Sequence, residues 1–269
     1  LSKPSDVGIL MTDMSRIIAI TNQKGGVGKT TTAINLSANL AESGKFVLLV
    51  DMDPQGNATS GLGVDHNEIE KGIYDVLARN VPLRDVVVNT NHEGLRLAPA
   101  TNLLAAAAVE LVNEEGREYK LTQALDEVKG MYDYIIIDCP PSLGLLTVNA
   151  LTAAEEILIP IQSEYYALEG LGQLLNTLHL VKDNLRHDLK ILGAVITMFD
   201  KRNKLSGQVQ AEVQQHFPYR VFQTVIPRNV RLTEAPSYGQ SIVHYDKSSS
   251  GATAYRSLAE EILNLEDNF

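Results

Sequence analysis

Short, unbroken apolar runs alternate along the chain with stretches in which apolar residues recur at helical spacing, an order that predicts strands and helices in turn. Ile17, Ile18, Ala19 and Ile20 are apolar without interruption, as in a strand covered on both faces of a parallel sheet. Ala33, Leu36, Leu40 and Ala41 then follow at helical spacing until Gly44 ends the helix. Further strands are predicted over residues 46–50, 95–98, 134–138, 157–161, 191–198 and 221–226, and 134–138 is the strongest of them. Helical patterns cover residues 73–78, 103–112, 120–129, 168–181, 208–217 and 254–263. Such alternation implies right-handed crossovers. The expected fold class is therefore α/β, a mainly parallel twisted sheet with helices on both faces and ligands at the strand C-termini.

Between the first strand and the first helix lies Gln23-Lys24-Gly25-Gly26-Val27-Gly28-Lys29-Thr30-Thr31. Glycines let a backbone approach a polyphosphate closely, successive N–H groups and a helix N-terminus point at the anion, and Lys29 adds a mobile positive charge. Thr30 supplies a hydroxyl for Mg2+. The run departs from the usual P-loop pattern in having Gln23 where a glycine is expected and an extra lysine, Lys24. Lys-Gly-Gly-x-Gly-Lys-Thr resembles the deviant Walker A motif of the ParA/MinD group of P-loop ATPases. That resemblance implies that Lys24 reaches into a partner's nucleotide across a dimer.

The second strand delivers Asp51 and Asp53 at its C-terminal end, and the loop over residues 54–63 is too rich in Gly, Asn and Ser for core. Asp138 ends the strongest strand ahead of Cys139-Pro140-Pro141-Ser142. Three segments thus converge on one polyphosphate. Mg2+ prefers hard oxygen ligands and keeps several waters, so Thr30 is assigned to bind it directly and Asp138 to orient its waters as a Walker B carboxylate. Asp51-Met52-Asp53-Pro54-Gln55 matches a ParA-type motif, and the resemblance gives Asp53 the attacking water and a place in the metal set. Asp51 is left to organise the magnesium shell or a dimer face. Residues 54–63 and 140–144 resemble switch I and switch II, whose order depends on the γ-phosphate.

Ile226-Pro227-Arg228-Asn229-Val230-Arg231 and the residues up to Ser237 are similar to the corresponding run of chromosomal ParA, or Soj, proteins. This likeness implies an adenine site in the region of Pro227 and Asn229, and Met198-Phe199-Asp200 occupies the other strand end expected to wall that pocket. The net charge of −10 argues against a chain that coats nucleic acid all over. Residues 182–256 nevertheless hold 11 basic against 6 acidic side chains, so an anionic polymer should meet this late part. Arg202, Lys204, Arg228 and Arg231 lie there, and the resemblance places Arg202 and Arg231 on a surface that binds DNA without sequence preference. No recognition-helix motif is present.

At 269 residues and 44% apolar content, residues 16–269 are read as one P-loop ATPase domain. Residues 1–15 lack a period, begin without Met and contain Met11 and Met14 as candidate starts, so they are read as a disordered leader or tag remnant. The single cysteine, Cys139, excludes a disulfide framework and a Cys-rich cluster within one chain, is read as a small buried residue, and fits a reducing cytoplasm. The six histidines show no metal-ligand spacing, and Tyr165 and Tyr166 are candidates for an interface or for packing. No membrane partner is expected, because Glu260, Glu261, Glu266 and Asp267 make the C-terminal end a poor match for a basic amphipathic membrane helix of the MinD kind.

The family likeness implies ATP and Mg2+ as cofactors and an ATP-dependent homodimer on non-specific double-stranded nucleoid DNA, released when a ParB-type partner stimulates hydrolysis. Plasmid or protein-assembly cargoes, a MinD-like regulator and a metabolic P-loop enzyme remain alternatives.

Overall fold

Burial on both faces of the central strands sets the architecture. In β1 (Arg16–Ile20), Ile17 and Ala19 join one apolar core, and Ile18 and Ile20 join the other. The run has no polar side chain to spare because neither face meets water. The computed structural model describes residues 15–164 and 167–265, so Tyr165, Tyr166, Glu266, Asp267 and all of the leader except Ser15 lie outside it.

The remaining strands are β2 (Val47–Asp51), β3 (Val88–Asn89), β4 (Leu95–Ala98), β5 (Tyr134–Asp138), β6 (Glu156–Gln162), β7 (Lys190–Phe199) and β8 (Val221–Pro227). They form one eight-stranded sheet in the order β3-β4-β2-β5-β1-β6-β7-β8. Every pairing is parallel except β3 with β4. Register puts Asp138 level with Ile20 on one side and with Asp51 on the other. The glycine-rich turn and both acidic strand ends therefore share one edge of the sheet.

Some elements depart from the sequence pattern. Asn57–Gly61 is a short helix inside the loop expected to be too polar for core, and Ala58, Thr59 and Leu62 are buried there. Leu145–Ala153 is a helix without amphipathic spacing, because it is buried nearly all round and so presents no polar stripe. β3 is too short to show a period. The final helix, Ser250–Leu263, starts earlier than its apolar pattern, where the Ser249 side chain accepts the Ala252 N–H.

A close approach fastens the first of these to the C-terminal third. Gly63 and Gly239 are both left-handed, at φ +79° and +63°, and a Cβ on Gly239 would lie 2.5 Å from the Gly63 Cα.

Candidate nucleotide site

The glycine-rich turn is held from both flanks by hydrogen bonds within the chain. Asn22 donates its amide to the Pro160 carbonyl at 2.8 Å and accepts the Lys24 N–H at 3.0 Å. On the far side, the Thr197 hydroxyl donates to the Val27 carbonyl at 2.8 Å. Gly26 and Gly28 take left-handed φ values of +73° and +89°, which leaves α1 (Lys29–Glu42) to start directly behind the turn. Lys29 is 7% exposed, and its ammonium donates to the Lys24 carbonyl at 3.1 Å. Burial lowers its pKa against the opposing pull of Asp138.

Asp138 is fully buried, and neither of its oxygens has a hydrogen-bond partner among the described residues. Burial, reinforced by the neighbouring Asp51 charge, raises its pKa well above the carboxylate range, while the nearby Thr30 hydroxyl and Lys29 pull the other way. An orphaned carboxylate beside a hydroxyl is a hard-oxygen donor set, and it fits Mg2+. Asp51 is equally buried but fully engaged. It accepts the Thr59 N–H at 2.9 Å and hydroxyl at 2.7 Å, and the Asp53 N–H at 3.2 Å. Burial still raises it to about 6. Its two oxygens thus organise the loop after β2. Asp53 faces the cavity, with one oxygen accepting the Gln55 N–H at 3.0 Å.

A cavity of about 1030 Å³ opens above these groups. Gly25, Gly26, Gly28, Lys29, Thr30, Thr31 and Asp53 line one end, and Met198, Pro227, Arg228 and Asn229 the other. Lys24, Val27 and Asp138 are not part of the lining: Val27 and Asp138 are buried, and Lys24 pairs with Glu164 at 3.5 Å. Met198 adopts φ +52°, rare for a side chain of its size. Asn229 spends its side chain on structure, accepting the Arg231 N–H and donating to the Ser250 hydroxyl, both at 2.8 Å. Ile226, Leu232 and Pro236, all from the Soj-like run, and Tyr255 complete an apolar wall, of which only Tyr255, arriving from the final helix, carries no local signal in the sequence.

The four cations assigned to DNA do not form one cluster in the cavity. Arg228 lines it and lies 3.8 Å from Glu164. Arg202 is exposed and doubly bonded to Asp200, at 3.0 and 2.9 Å. Arg231 pairs with Glu234 at 2.9 Å and Asp246 at 3.6 Å, and Lys204 is exposed at the start of the helix Lys204–His216. Cys139 is a free, buried thiol whose pKa is raised by burial. Among the described residues, no cluster of three or more His, Cys, Asp and Glu side chains is placed to hold a metal.

A glycine cradle at the C-terminal end of a central parallel strand, with a helix behind it and a buried carboxylate on the next strand, defines a P-loop nucleotide-binding ATPase. An AAA domain family model matches residues 15–191. The Bacillus subtilis sporulation initiation inhibitor protein Soj is 57% identical, the match covering 93% of this chain and 98% of that one. The chromosome partitioning protein ParA of Myxococcus xanthus is 53% identical over 93% of this chain and 88% of its own. Among solved structures, cobyrinic acid a,c-diamide synthase from Mycobacterium smegmatis with bound ADP and magnesium superposes with a TM-score of 0.83 at 41% identity, covering 93% of this chain and 94% of that one. The septum site-determining protein MinD from Pyrococcus horikoshii, complexed with Mg-ADP, gives 0.75 at 30% identity, covering 94% and 98%. The chain belongs to the Soj/ParA family of chromosome-partitioning ATPases. It hydrolyses ATP and uses Mg2+.

Proposed function

We propose that ATP binding drives two copies into a sandwich dimer, that this dimer holds double-stranded DNA without sequence preference, and that a ParB-type partner releases it by stimulating hydrolysis. The observation carrying this reading is the contrast between the two lysines. Lys29 is buried inside its own cradle, whereas Lys24 stands outside the cavity lining with its side chain 39% exposed, which supports a role for it in a second copy.

Within one copy, the N–H groups of residues 25–31 and the Lys29 ammonium hold the phosphates, and Pro227, Met198 and Asn229 bound the base. Thr30 and Asp138 hold Mg2+, which neutralises charge on the phosphate oxygens when bound. Asp53 orients the attacking water, and Lys24 of the other copy stabilises charge on the transferred group. Arg202, Lys204, Arg228 and Arg231 supply phosphate contacts for DNA. Each copy offers few of them, and the arginines are already paired with carboxylates, so binding is weak and salt-sensitive until dimerisation adds the two sets together. The reading places the protein in the cytoplasm on the nucleoid. Among the described residues, no helix is long and apolar enough to cross a membrane.

DNA retention measured with ATP, with ADP and without nucleotide, each at low and high salt, tests the cycle. Retention should be confined to ATP and fall with salt; equal retention in all three conditions would sink nucleotide gating. The structural likeness to cobyrinic acid a,c-diamide synthase keeps a metabolic reading in view. That reading requires ATP turnover to depend on a small molecule rather than on DNA or a protein partner.

A further inference from the structure

Lys24 is engaged within its own chain. Its ammonium lies 3.5 Å from Glu164, which follows β6, and the other oxygen of the same carboxylate lies 3.8 Å from the Arg228 guanidinium. Gln162 steadies the carboxylate by donating its amide to Oε1 at 2.6 Å. One anion thus ties a cation from the glycine-rich turn to a cation from the far wall. Neither Glu164 nor Gln162 belongs to the cavity lining.

We propose that Glu164 is a positioning residue that holds Lys24 over its own subunit until a polyphosphate enters. The inference rests on the reading of Lys24 as a residue that acts in a second copy. A triphosphate in the cradle of residues 25–31 brings negative charge beside Lys24, so it competes with the Glu164 carboxylate for the ammonium and repels that carboxylate. Occupancy of the cradle then weakens the hold of Glu164 on Lys24. All three side chains are partly exposed, with Glu164 at 48%, and pairs of this kind are weak and screened by salt. The latch therefore sets a threshold without locking the protein.

The test is the ATP concentration giving half-maximal dimer by sedimentation, for the wild type, Glu164→Gln, Glu164→Ala and Lys24→Ala, at low and high salt. Removing the carboxylate charge should lower the midpoint roughly two- to fivefold at low salt. At high salt the wild type and both Glu164 variants should converge, which loss of a merely structural contact would not produce. An unchanged or raised low-salt midpoint in both Glu164 variants overturns the proposal. The Lys24 variant separates the two readings. If Lys24→Ala fails to dimerise while Glu164→Gln matches the wild type, only the role of Glu164 falls; if Lys24→Ala dimerises normally with ATP, the reading of Lys24 falls first and takes the latch with it.

Discussion

A methyl group on residue 56 would collide with a histidine. Gly56 sits at φ +60°, and a Cβ there would lie 2.2 Å from the His66 Cε1, so Gly56→Ala must strain the backbone and displace the ring. We expect a loss of roughly 1–3 kcal/mol in denaturant unfolding, with the turn after Asp53 the first region to lose hydrogen-exchange protection. Asp138 poses the opposite case, because a buried carboxylate with neither oxygen hydrogen-bonded among the described residues is costly to keep charged. Asp138→Asn should raise the melting temperature of the nucleotide-free protein by a few degrees and abolish the further rise given by ATP with Mg2+. Calorimetry with and without the ligand pair reads both effects. At this scale the sequence was informative wherever chemistry dictates residue type: Lys29, Thr30 and Asp53 all meet at one cavity. It was silent where a side chain's partner comes from far along the chain, as Glu164 does for Lys24, and a charge count also hid neutralisation by near neighbours. Arg202 and Arg231 contributed to a basic surplus, yet Asp200 and Glu234 offset them locally.

Elements were legible in proportion to how one-sided their burial is. β1 and β5 declared themselves because a strand covered on both faces becomes a solid apolar run, and the final helix because only one of its faces is buried. The helix Leu145–Ala153 was invisible for the converse reason, and Asn57–Gly61 was hidden by residues that favour turns but are held helical by the core beneath Ala58 and Leu62. Contacts between elements cannot be read locally at all. Thr32 in α1 and Tyr255 in the final helix share a buried hydrogen bond of 3.1 Å, and the Asn35 side chain accepts the Ile242 N–H at 2.7 Å. Tyr255→Phe should cost about 1 kcal/mol by leaving the Thr32 hydroxyl unpaired. Urea unfolding checks the stability, and a weakened ATP affinity would follow from loosening a residue that lines the cavity.

For the whole molecule, pH acts through buried His92 and the exposed His244 stacked on it. His92 stacks on His244 with ring centroids 3.7 Å apart, while Glu42 lies 3.7 Å from the His244 imidazole and also pairs with Lys247. Burial, together with the His244 charge, pushes His92 down from 6.5 to about 4, with Glu42 opposing. The fold thus favours neutral His92. Its contribution is fully present above the ordinary value of 6.5 and is lost as the pH falls through about 4. We expect roughly 2 kcal/mol to disappear over that window, and His92→Gln to flatten the slope in unfolding experiments run across it. The contact of Gly63 with Gly239 has a consequence of a different kind, one for descent. Two backbones that touch leave no room for a side chain on either, and both residues need a conformation open mainly to glycine. Variation that is free elsewhere on these loops is closed at this junction, and exhaustive substitution should return glycine alone at both positions. The tie between the loop after β2 and the C-terminal third is therefore expected to narrow what descent can change at these two residues.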